Sequence, residues 1–151
     1  MKKTAFIVFS IFAMQLHAQE SEIKKSIATF FDGLHTADTL KIKSVCSDKL
    51  ILQTITENAG GSKLERENIS EFYKSVASIP KFTKIEERLL DYKIQVDDSL
   101  AHAWTPYEFY VNGKMSHSGV NSFQLYKDNG AWKIIYIIDT RRNPFQPPKG
   151  Q

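Results

Sequence analysis

The stretch from Ala101 to Arg142 reads AHAWTPYEFYV, NG, KMSHSGVNSFQLYK, DNG, AWKIIYIIDTRR, and it decides the fold. Three long segments rich in aromatic and β-branched residues are separated by Asn112-Gly113 and by Asp128-Asn129-Gly130. An Asn-Gly turn between two such segments is the strongest short-range signal of a β-hairpin. The stretch therefore predicts three consecutive antiparallel strands, and its turns indicate which side chains lie opposite each other.

A register counted from the turns predicts the two faces of these strands. With Asn112-Gly113 as a two-residue loop, Glu108 pairs with His117 and Trp104 with Asn121, and the second turn pairs Phe123 with Tyr136. Paired residues point to the same side of a sheet. The face predicted to pack on the helices carries His102, Trp104, Pro106, Glu108, His117, Gly119, Asn121, Phe123, Leu125, Ile134, Tyr136 and Ile138.

The opposite face is predicted to contain Tyr107, Phe109, Ile135, Ile137 and Asp139 among smaller residues. Because this is more apolar surface than a solvated sheet face needs, we expect that it could form a homodimer interface.

The segments before the hairpins predict helices and two further strands. Apolar spacing predicts a helix over residues 20–35 and a second, capped by Asp38 or Thr39, through about Ser47. A strand is expected over 50–57, and the capping box Ser62-Lys63-Leu64-Glu65 predicts a helix that ends by Pro80. Alternation then predicts one long strand from Phe82, on which Arg88, Leu90, Tyr92, Ile94 and Val96 share a face.

The length of the loop after this last strand decides whether Arg88 lies on the same face as Glu108 and His117. If Asp97-Asp98-Ser99 forms a three-residue loop, Arg88 pairs with Glu108 and Tyr92 pairs with Trp104. A two-residue loop would move Arg88 to the other side, because a slip of one residue exchanges the faces of a strand.

The resulting layout is α+β. A strongly curved mixed or antiparallel sheet is expected to wrap around about three N-terminal helices that gather on one side.

The ends of the chain predict export and a short tail. Lys2-Lys3, the apolar run Ala5–Met14 and the small residue Ala18 follow the pattern of a secretory signal peptide. We predict a signal peptide at 1–18, a single domain at 19–142 and a disordered tail at 143–151, with a periplasmic or secreted location. The apolar run is too short to span a bilayer, so no stable membrane insertion is expected after cleavage.

Composition and motifs indicate which classes of partner and cofactor are not expected. The chain has 20 basic and 17 acidic residues, and losing Lys2 and Lys3 lowers the formal net charge from +3 to +1. No basic cluster beyond Arg141-Arg142 suggests nucleic-acid binding. The single Cys46 lies in an apolar pattern and is interpreted as a small buried side chain. No metal-ligand spacing or phosphate loop is present, so no metal and no cofactor are predicted.

The order of elements resembles the nuclear transport factor 2-like superfamily, which includes ketosteroid isomerases, SnoaL-like polyketide cyclases and limonene epoxide hydrolases. The similarity is closest to its exported members from Bacteroidetes-type bacteria. The residues that carry the resemblance are Phe31–Asp38, Trp104–Tyr110, Asn112–Lys114, Ser116–Asn121, Trp132–Ile134 and Asp139–Arg142.

This resemblance implies a cone-shaped cavity between the concave sheet and the first and third helices. It implies no catalytic residue here, because Phe30 and Phe31 stand where ketosteroid isomerases have a tyrosine on the first helix. The Asp-Arg-Asp arrangement of the epoxide hydrolases cannot be assigned either.

Glu108 and His117 are the candidate catalytic pair, since a carboxylate beside an imidazole can move protons. The alternative is a cross-strand hydrogen bond that serves stability only. The candidate ligand-binding residues are Arg88, Tyr92, Trp104, Asn121, Phe123 and Tyr136, although the aromatic ones could equally be core.

Three functions follow from these candidates. The first is binding of a small, largely apolar molecule. The second is an isomerase, cyclase or dehydratase that uses Glu108 or His117 as general acid or base. The third is a dimeric accessory protein whose cone is filled by its own side chains.

Overall fold

The computed structural model describes residues 2–58 and 61–143, with side-chain surroundings for 17–57 and 61–143. These described residues form three helices and seven strands. They are α1 (Lys2–His35), α2 (Thr39–Val45), β1 (Cys46–Asn58), β2 (Gly61–Arg66), α3 (Ile69–Ala77), β3 (Ile85–Leu89), β4 (Lys93–Asp97), β5 (Leu100–Val111), β6 (Lys114–Asp128) and β7 (Ala131–Arg142). The predicted α+β class is confirmed.

The strands form one mixed sheet with the order β2-β1-β7-β6-β5-β3, and β4 also pairs with β5. The pair β1-β7 is parallel and the others are antiparallel. This parallel pair brings β1 beside the C-terminal strand, so the polar ends of both strands lie next to each other.

The core is formed where α1 packs on the inner face of the sheet. Ile23, Ile27, Phe30 and Phe31 are buried at helical spacing, as the periodicity predicts. They pack against β-sheet residues that include Phe123, Leu125, Ile134 and Ile137. Among the helices in the described residues, none is long and apolar enough to cross a membrane.

The short helices begin where local capping satisfies their free N–H groups. Asp38 Oδ1 accepts from the Lys41 N–H at 3.0 Å and so caps α2, as expected. Asn68 Oδ1 accepts from the Glu71 N–H at 3.1 Å and caps α3. The predicted capping box at Ser62 is wrong, because residues 61–66 pair with β1 as a hairpin and the ladder hydrogen bonds replace the helical ones.

Two β-bulges change the predicted faces. The turns pair Val111 with Lys114 and Lys127 with Trp132 as expected, but Ser116 and Ile135 are then inserted as extra residues. Each insertion shifts the register by one, and a shift of one exchanges the faces of a strand.

The inner face consequently differs from the predicted one. It carries Ala101, Ala103, Thr105, Tyr107, Phe109, His117, Asn121, Phe123, Leu125, Ile137 and Asp139. The residues wrongly assigned to it are His102, Trp104, Pro106, Glu108, Tyr136 and Ile138.

The predicted long strand from Phe82 is two strands. Asp97 pairs with Leu100, so the loop has two residues, yet Arg88 still pairs with Glu108. The two-residue loop and the Arg88–Glu108 pair are compatible because the break between Leu89 and Lys93 shifts the register by one residue. Tyr92 therefore does not pair with Trp104, which lies opposite Lys93.

Two predictions concern the ends of the chain. The signal peptide stays a prediction, and α1 runs through the predicted cleavage point. The predicted tail lies outside the described residues except for Asn143.

Candidate functional site

A cavity of about 340 Å³ opens between the inner face of the sheet and helices α1 and α3. Its wall combines an apolar half with a polar half. The lining residues are Phe30, Phe31, Leu34, Leu52, Gln53, Thr54, Glu67, Phe72, Ser75, Glu87, Tyr107, Phe109, His117, Asn121, Ile137, Asp139 and Arg141. Its volume lies at the lower end of the range for small-molecule pockets, roughly 300–1,000 Å³.

The apolar half is built from aromatic rings on the two helices. Phe30 packs edge-on against Phe31 at 5.3 Å between ring centroids and stacks on Phe72 at 6.3 Å. Phe123 of β6 meets Phe30 and Phe31 edge-on at 6.4 Å and 6.0 Å. These contacts hold the rings at the wall of an open cavity, so the alternative in which the protein's own side chains fill the cone does not occur.

The polar half is organised around the buried carboxylate of Asp139. Thr54 donates to Asp139 Oδ1 at 2.6 Å, and the Tyr107 hydroxyl donates to Oδ2 at 2.9 Å. Arg141 Nε also donates to Oδ2, at 2.9 Å. Each carboxylate oxygen of Asp139 therefore has a donor, as a buried charge requires.

Strand pairing and one glycine set this geometry. Thr54 and Asn121 lie beside Asp139 on the two flanking strands β1 and β6. A Cβ on Gly119 would lie 1.7 Å from the Thr140 carbonyl oxygen and 2.9 Å from the Tyr107 ring. Only glycine allows this approach, which leaves the Tyr107 hydroxyl within 3.0 Å of the same carbonyl.

Glu87 is the second carboxyl group of the cavity. Asn121 Nδ2 donates to Glu87 Oε1 at 2.7 Å. The residue retains some exposed surface, but its carboxyl is enclosed by protein, and this desolvation raises the pKa of Glu87 to about 8. The negative charge of Asp139 acts in the same direction. Glu87 is therefore protonated at neutral pH and can hold or donate a proton inside the cavity.

A histidine fixes the backbone of Glu87. The Glu87 N–H donates to His35 Nε2 at 2.8 Å, which requires an unprotonated nitrogen. Burial lowers the pKa of His35 accordingly. His35 is therefore neutral and adds no positive charge to the end of α1.

His117 lies in the cavity wall among aromatic rings. It stacks on Phe109 at 4.8 Å between centroids and meets Tyr107 edge-on at 5.8 Å. Burial and the nearby Arg141 charge lower the pKa of His117. Its neutral form is therefore the one that lines the cavity at neutral pH.

The predicted site residues divide between the cavity and the outer face. His117 and Asn121 line the cavity, and Phe123 supports its aromatic wall. Glu108 faces outward and accepts from the Tyr110 hydroxyl at 2.8 Å, so the predicted pair with His117 is wrong because of the bulge at Ser116.

Arg88 also faces outward and forms an ion pair with Glu86 at 3.0 Å. Trp104 is 43% exposed on that face, and the Tyr136 hydroxyl donates to Gln53. Tyr92 packs beside α1, with Lys24 Nζ 5.6 Å from its ring centroid. None of these four residues lines the cavity.

Sequence reasoning missed Glu87, Tyr107 and the inward position of Asp139. Glu87 lies two residues from each of Ile85 and Leu89 and therefore shares their face of the strand. The position of Glu87 between two apolar residues of that face is the sequence signal that could have identified it as an inward residue. The predicted register assigned Tyr107 and Asp139 to the outer face, so the bulges concealed them.

Two other features bear on reactivity. Burial raises the pKa of the Cys46 thiol to about 12, which agrees with a buried structural role. Across residues 2–58 and 61–143, no cluster of three His, Cys, Asp or Glu side chains could hold a metal ion.

Comparison with known proteins identifies the fold. No protein-family model and no curated protein matches the sequence. A Mycobacterium tuberculosis protein of unknown function superposes with a TM-score of 0.70 at 13% identity, covering 92% of this chain and 80% of that one.

Two further structures carry the name of the fold. A nuclear transport factor 2-like protein of unknown function from Shewanella baltica matches with a TM-score of 0.60 at 13% identity, over 83% of this chain and 94% of its own. A proposed dehydratase of that family from Streptomyces avermitilis matches with a TM-score of 0.63 at 14% identity, over 83% and 97%. At these identities the likeness concerns the fold alone.

Proposed function

We propose that this protein, whose fold is the nuclear transport factor 2-like fold, binds a small and largely apolar molecule in the 340 Å³ cavity. The observation that carries the proposal is the division of the wall into aromatic rings on one side and a few buried polar groups on the other. Pockets that bind small molecules have this composition, because apolar contact supplies affinity and the polar groups orient the ligand.

The proposal is tested by native mass spectrometry and by titration with 4-phenylbutan-1-ol in a calorimeter. Leu34→Trp adds an indole to the cavity wall, whereas Leu40→Trp adds one to an exposed part of α2. We expect saturable binding to the wild type and to Leu40→Trp, and at least tenfold weaker binding to Leu34→Trp. Equal binding by all three proteins would contradict the proposal.

A second candidate is acid–base catalysis, and the protonated Glu87 favours it. A carboxyl group with a pKa of about 8 inside a cavity is suited to donate a proton near neutral pH. Glu87 thereby replaces Glu108 as the candidate proton carrier, and His117 remains in the cavity as a candidate base. The reaction class is that of an isomerase, cyclase or dehydratase.

Catalysis is separated from binding by one substitution. A molecule that native mass spectrometry finds bound would be incubated with the wild type and with Glu87→Gln. If the protein is an enzyme, conversion occurs with the wild type only, while both proteins bind the molecule. Binding without conversion in either protein would leave the binding function alone.

We further propose that the protein is exported and that residues 1–18 are removed. Among the side chains described, the first buried one is Ile23, so cleavage before Gln19 removes no described core residue. Intact mass measurement of the protein from the periplasm and the medium tests the cleavage. Full-length protein confined to the cytoplasm would contradict it.

We also propose a homodimer through the outer face of the sheet, but on other residues than the sequence predicted, because Tyr107, Phe109, Ile137 and Asp139 lie on the inner face. The exposed Trp104 and Leu100 on β5 support it, as does a groove of about 680 Å³ that includes Ile135 and Tyr136. Trp104→Glu should then lower the mass measured by sedimentation from dimer to monomer. A wild-type mass equal to the monomer at every concentration would contradict it.

A further inference from the structure

The polar end of the cavity has a composition that selects among small molecules. We propose that the bound molecule is uncharged and carries a group that both donates and accepts hydrogen bonds, such as a primary amide, a lactam or a hydroxyl, held by Glu87 and Asn121. This inference rests on the proposed binding function and adds the chemical class of the ligand.

Two atoms at this end have no partner within the described part of the chain. Asn121 Nδ2 donates to Glu87 Oε1, while Asn121 Oδ1 and Glu87 Oε2 make no hydrogen bond. Asn121 is only 4% exposed, and both residues line the cavity. Among the described residues, the fully buried side-chain atoms without a partner are Thr105 Oγ1 and Trp132 Nε1. Asn121 Oδ1 and Glu87 Oε2 are instead open to the cavity that both residues line, where a ligand can reach them. A ligand group that pairs with both atoms gains two hydrogen bonds inside the cavity.

The two free atoms differ in character. With Oε1 accepting from Asn121, the proton of the neutral carboxyl group belongs on Oε2, which makes Oε2 a donor. Asn121 Oδ1 is an acceptor. The matching ligand group therefore accepts one hydrogen bond and donates another, as a primary amide does.

An anion is disfavoured by the charges around the cavity. Among the described residues that line the wall, Arg141 is the one cation, and its guanidinium is paired with Asp139 at 2.9 Å. Glu67 also lines the cavity and acts electrostatically on Arg141. Two carboxylates beside one guanidinium leave the cavity with a net negative charge, which repels a further anion.

A cation finds no free carboxylate oxygen at the buried end. Both oxygens of Asp139 already accept hydrogen bonds from Thr54, Tyr107 and Arg141. Glu87 is neutral at neutral pH, because burial holds its pKa near 8. An ammonium group would therefore have to break the Asp139 network or remove the proton of Glu87.

Four probes of one shape test the inference. They are 4-phenylbutanamide, 4-phenylbutanoate, 4-phenylbutylammonium and n-butylbenzene, titrated into the full chain at pH 6.5. We expect the amide to bind at least tenfold more tightly than each of the other three, as its two added hydrogen bonds imply. If the carboxylate or the ammonium binds as tightly as the amide, the inference is overturned while the binding function stands. If none of the four binds, both are overturned.

Variants of the two residues identify the contact. Asn121→Ala should weaken amide binding about tenfold and leave n-butylbenzene unchanged. Glu87→Gln keeps a donor and an acceptor, so its amide affinity should stay within about threefold of the wild type. The outer-face variant Glu108→Gln should bind the amide like the wild type. Unchanged amide affinity in Asn121→Ala, with melting temperatures matched, would overturn the assignment.

The pH profile gives a readout that a merely structural role would not change. Wild-type affinity for the amide should fall as Glu87 ionises above about pH 8, whereas Glu87→Gln should be flat from pH 6.5 to 9.5. The other charged and titratable groups around Glu87 are present in both proteins and cancel in this comparison; they are His35, Glu67, Tyr107, His117, Asp139 and Arg141. Parallel profiles for the two proteins would contradict the role of Glu87.

Discussion

The two faces of the sheet carry the same set of chemical groups in different surroundings. On the inner face, Tyr107 donates to Asp139 at 2.9 Å and Arg141 donates to the same carboxylate. On the outer face, Tyr110 donates to Glu108 at 2.8 Å, and Arg88 lies 4.1 Å from the Tyr110 ring centroid. A carboxylate, a phenol and a guanidinium are thus grouped on both sides.

Burial decides what each group can do. Tyr107 is 2% exposed, and desolvation raises the pKa of its hydroxyl. The ion pair of Arg88 with Glu86 is open to solvent, where water and salt screen it. Hydrogen-bond lengths alone do not distinguish the two sites. The inner group is therefore the candidate for function, and the outer group is its natural control.

The largest effect is expected from Asp139→Ala. It leaves Thr54, Tyr107 and Arg141 without their common acceptor. Removing one partner of a buried ionic network typically costs about 3–5 kcal/mol. We expect urea denaturation to show a loss of this size, and almost none for Glu108→Ala on the outer face. Equal losses in the two variants would show that burial does not separate the faces.

The next effect concerns Glu87 and depends on pH. The pKa of Glu87 is about 8 in the folded protein and near 4.5 when unfolded. Between these values the folded state keeps a proton that the unfolded state has lost, so the free energy of unfolding falls as pH rises from about 5 to about 8. Glu87→Gln removes this pH-dependent loss of stability, because a glutamine side chain does not titrate.

Urea denaturation at several pH values measures the Glu87 effect. The variant should be more stable than the wild type by a few kcal/mol at pH 9 and nearly equal to it at pH 4.5. His35 and His117 titrate in both proteins and cancel in the difference. A difference that does not change with pH would contradict the raised pKa.

The inner face was only partly predictable from the sequence. The turns at Asn112-Gly113 and Asn129-Gly130 predict the pairs next to them correctly, because φ is positive at all four of these residues. Helical spacing likewise predicts the buried residues of α1, and the order of elements indicates the fold. These features depend on local conformation, which a single sequence contains.

The rest depends on where the register shifts. Neither Ser116 nor Ile135 differs from an ordinary strand residue, yet each is inserted as a bulge and reverses the faces beyond it. The break after Leu90 is similar: the Leu90 N–H still donates to the Pro106 carbonyl at 2.8 Å in the β3–β5 register, and β4 then pairs with β5 one residue out of that register. Such shifts are decided by packing across the whole sheet, so Glu108 was predicted inside and Glu87 outside.

A smaller effect is expected from removing one hydroxyl on each face. Tyr107→Phe leaves Asp139 and the Thr140 carbonyl with one donor fewer in a buried site. A loss of about 1–3 kcal/mol is typical of such a deletion. Tyr110→Phe removes a solvent-accessible hydrogen bond to Glu108, and we expect no measurable loss. Thermal unfolding of both variants beside the wild type provides the measurement, and a greater loss in Tyr110→Phe would reverse the assignment.

The smallest effect is expected from Arg88→Gln, although sequence reasoning assigned Arg88 to the binding site. Its guanidinium contacts Glu86 and the Tyr110 ring on the outer face and does not line the cavity. Because both contacts are open to solvent, we expect an unchanged melting temperature at 0.5 M salt and only a slight decrease at low salt. Affinity for 4-phenylbutanamide should equal that of the wild type, whereas the inner variant Asn121→Ala should bind this amide about tenfold more weakly. If Arg88→Gln lowered the affinity for 4-phenylbutanamide, the ligand would have to bind on the outer face. The assignment of binding to the inner face would then be wrong.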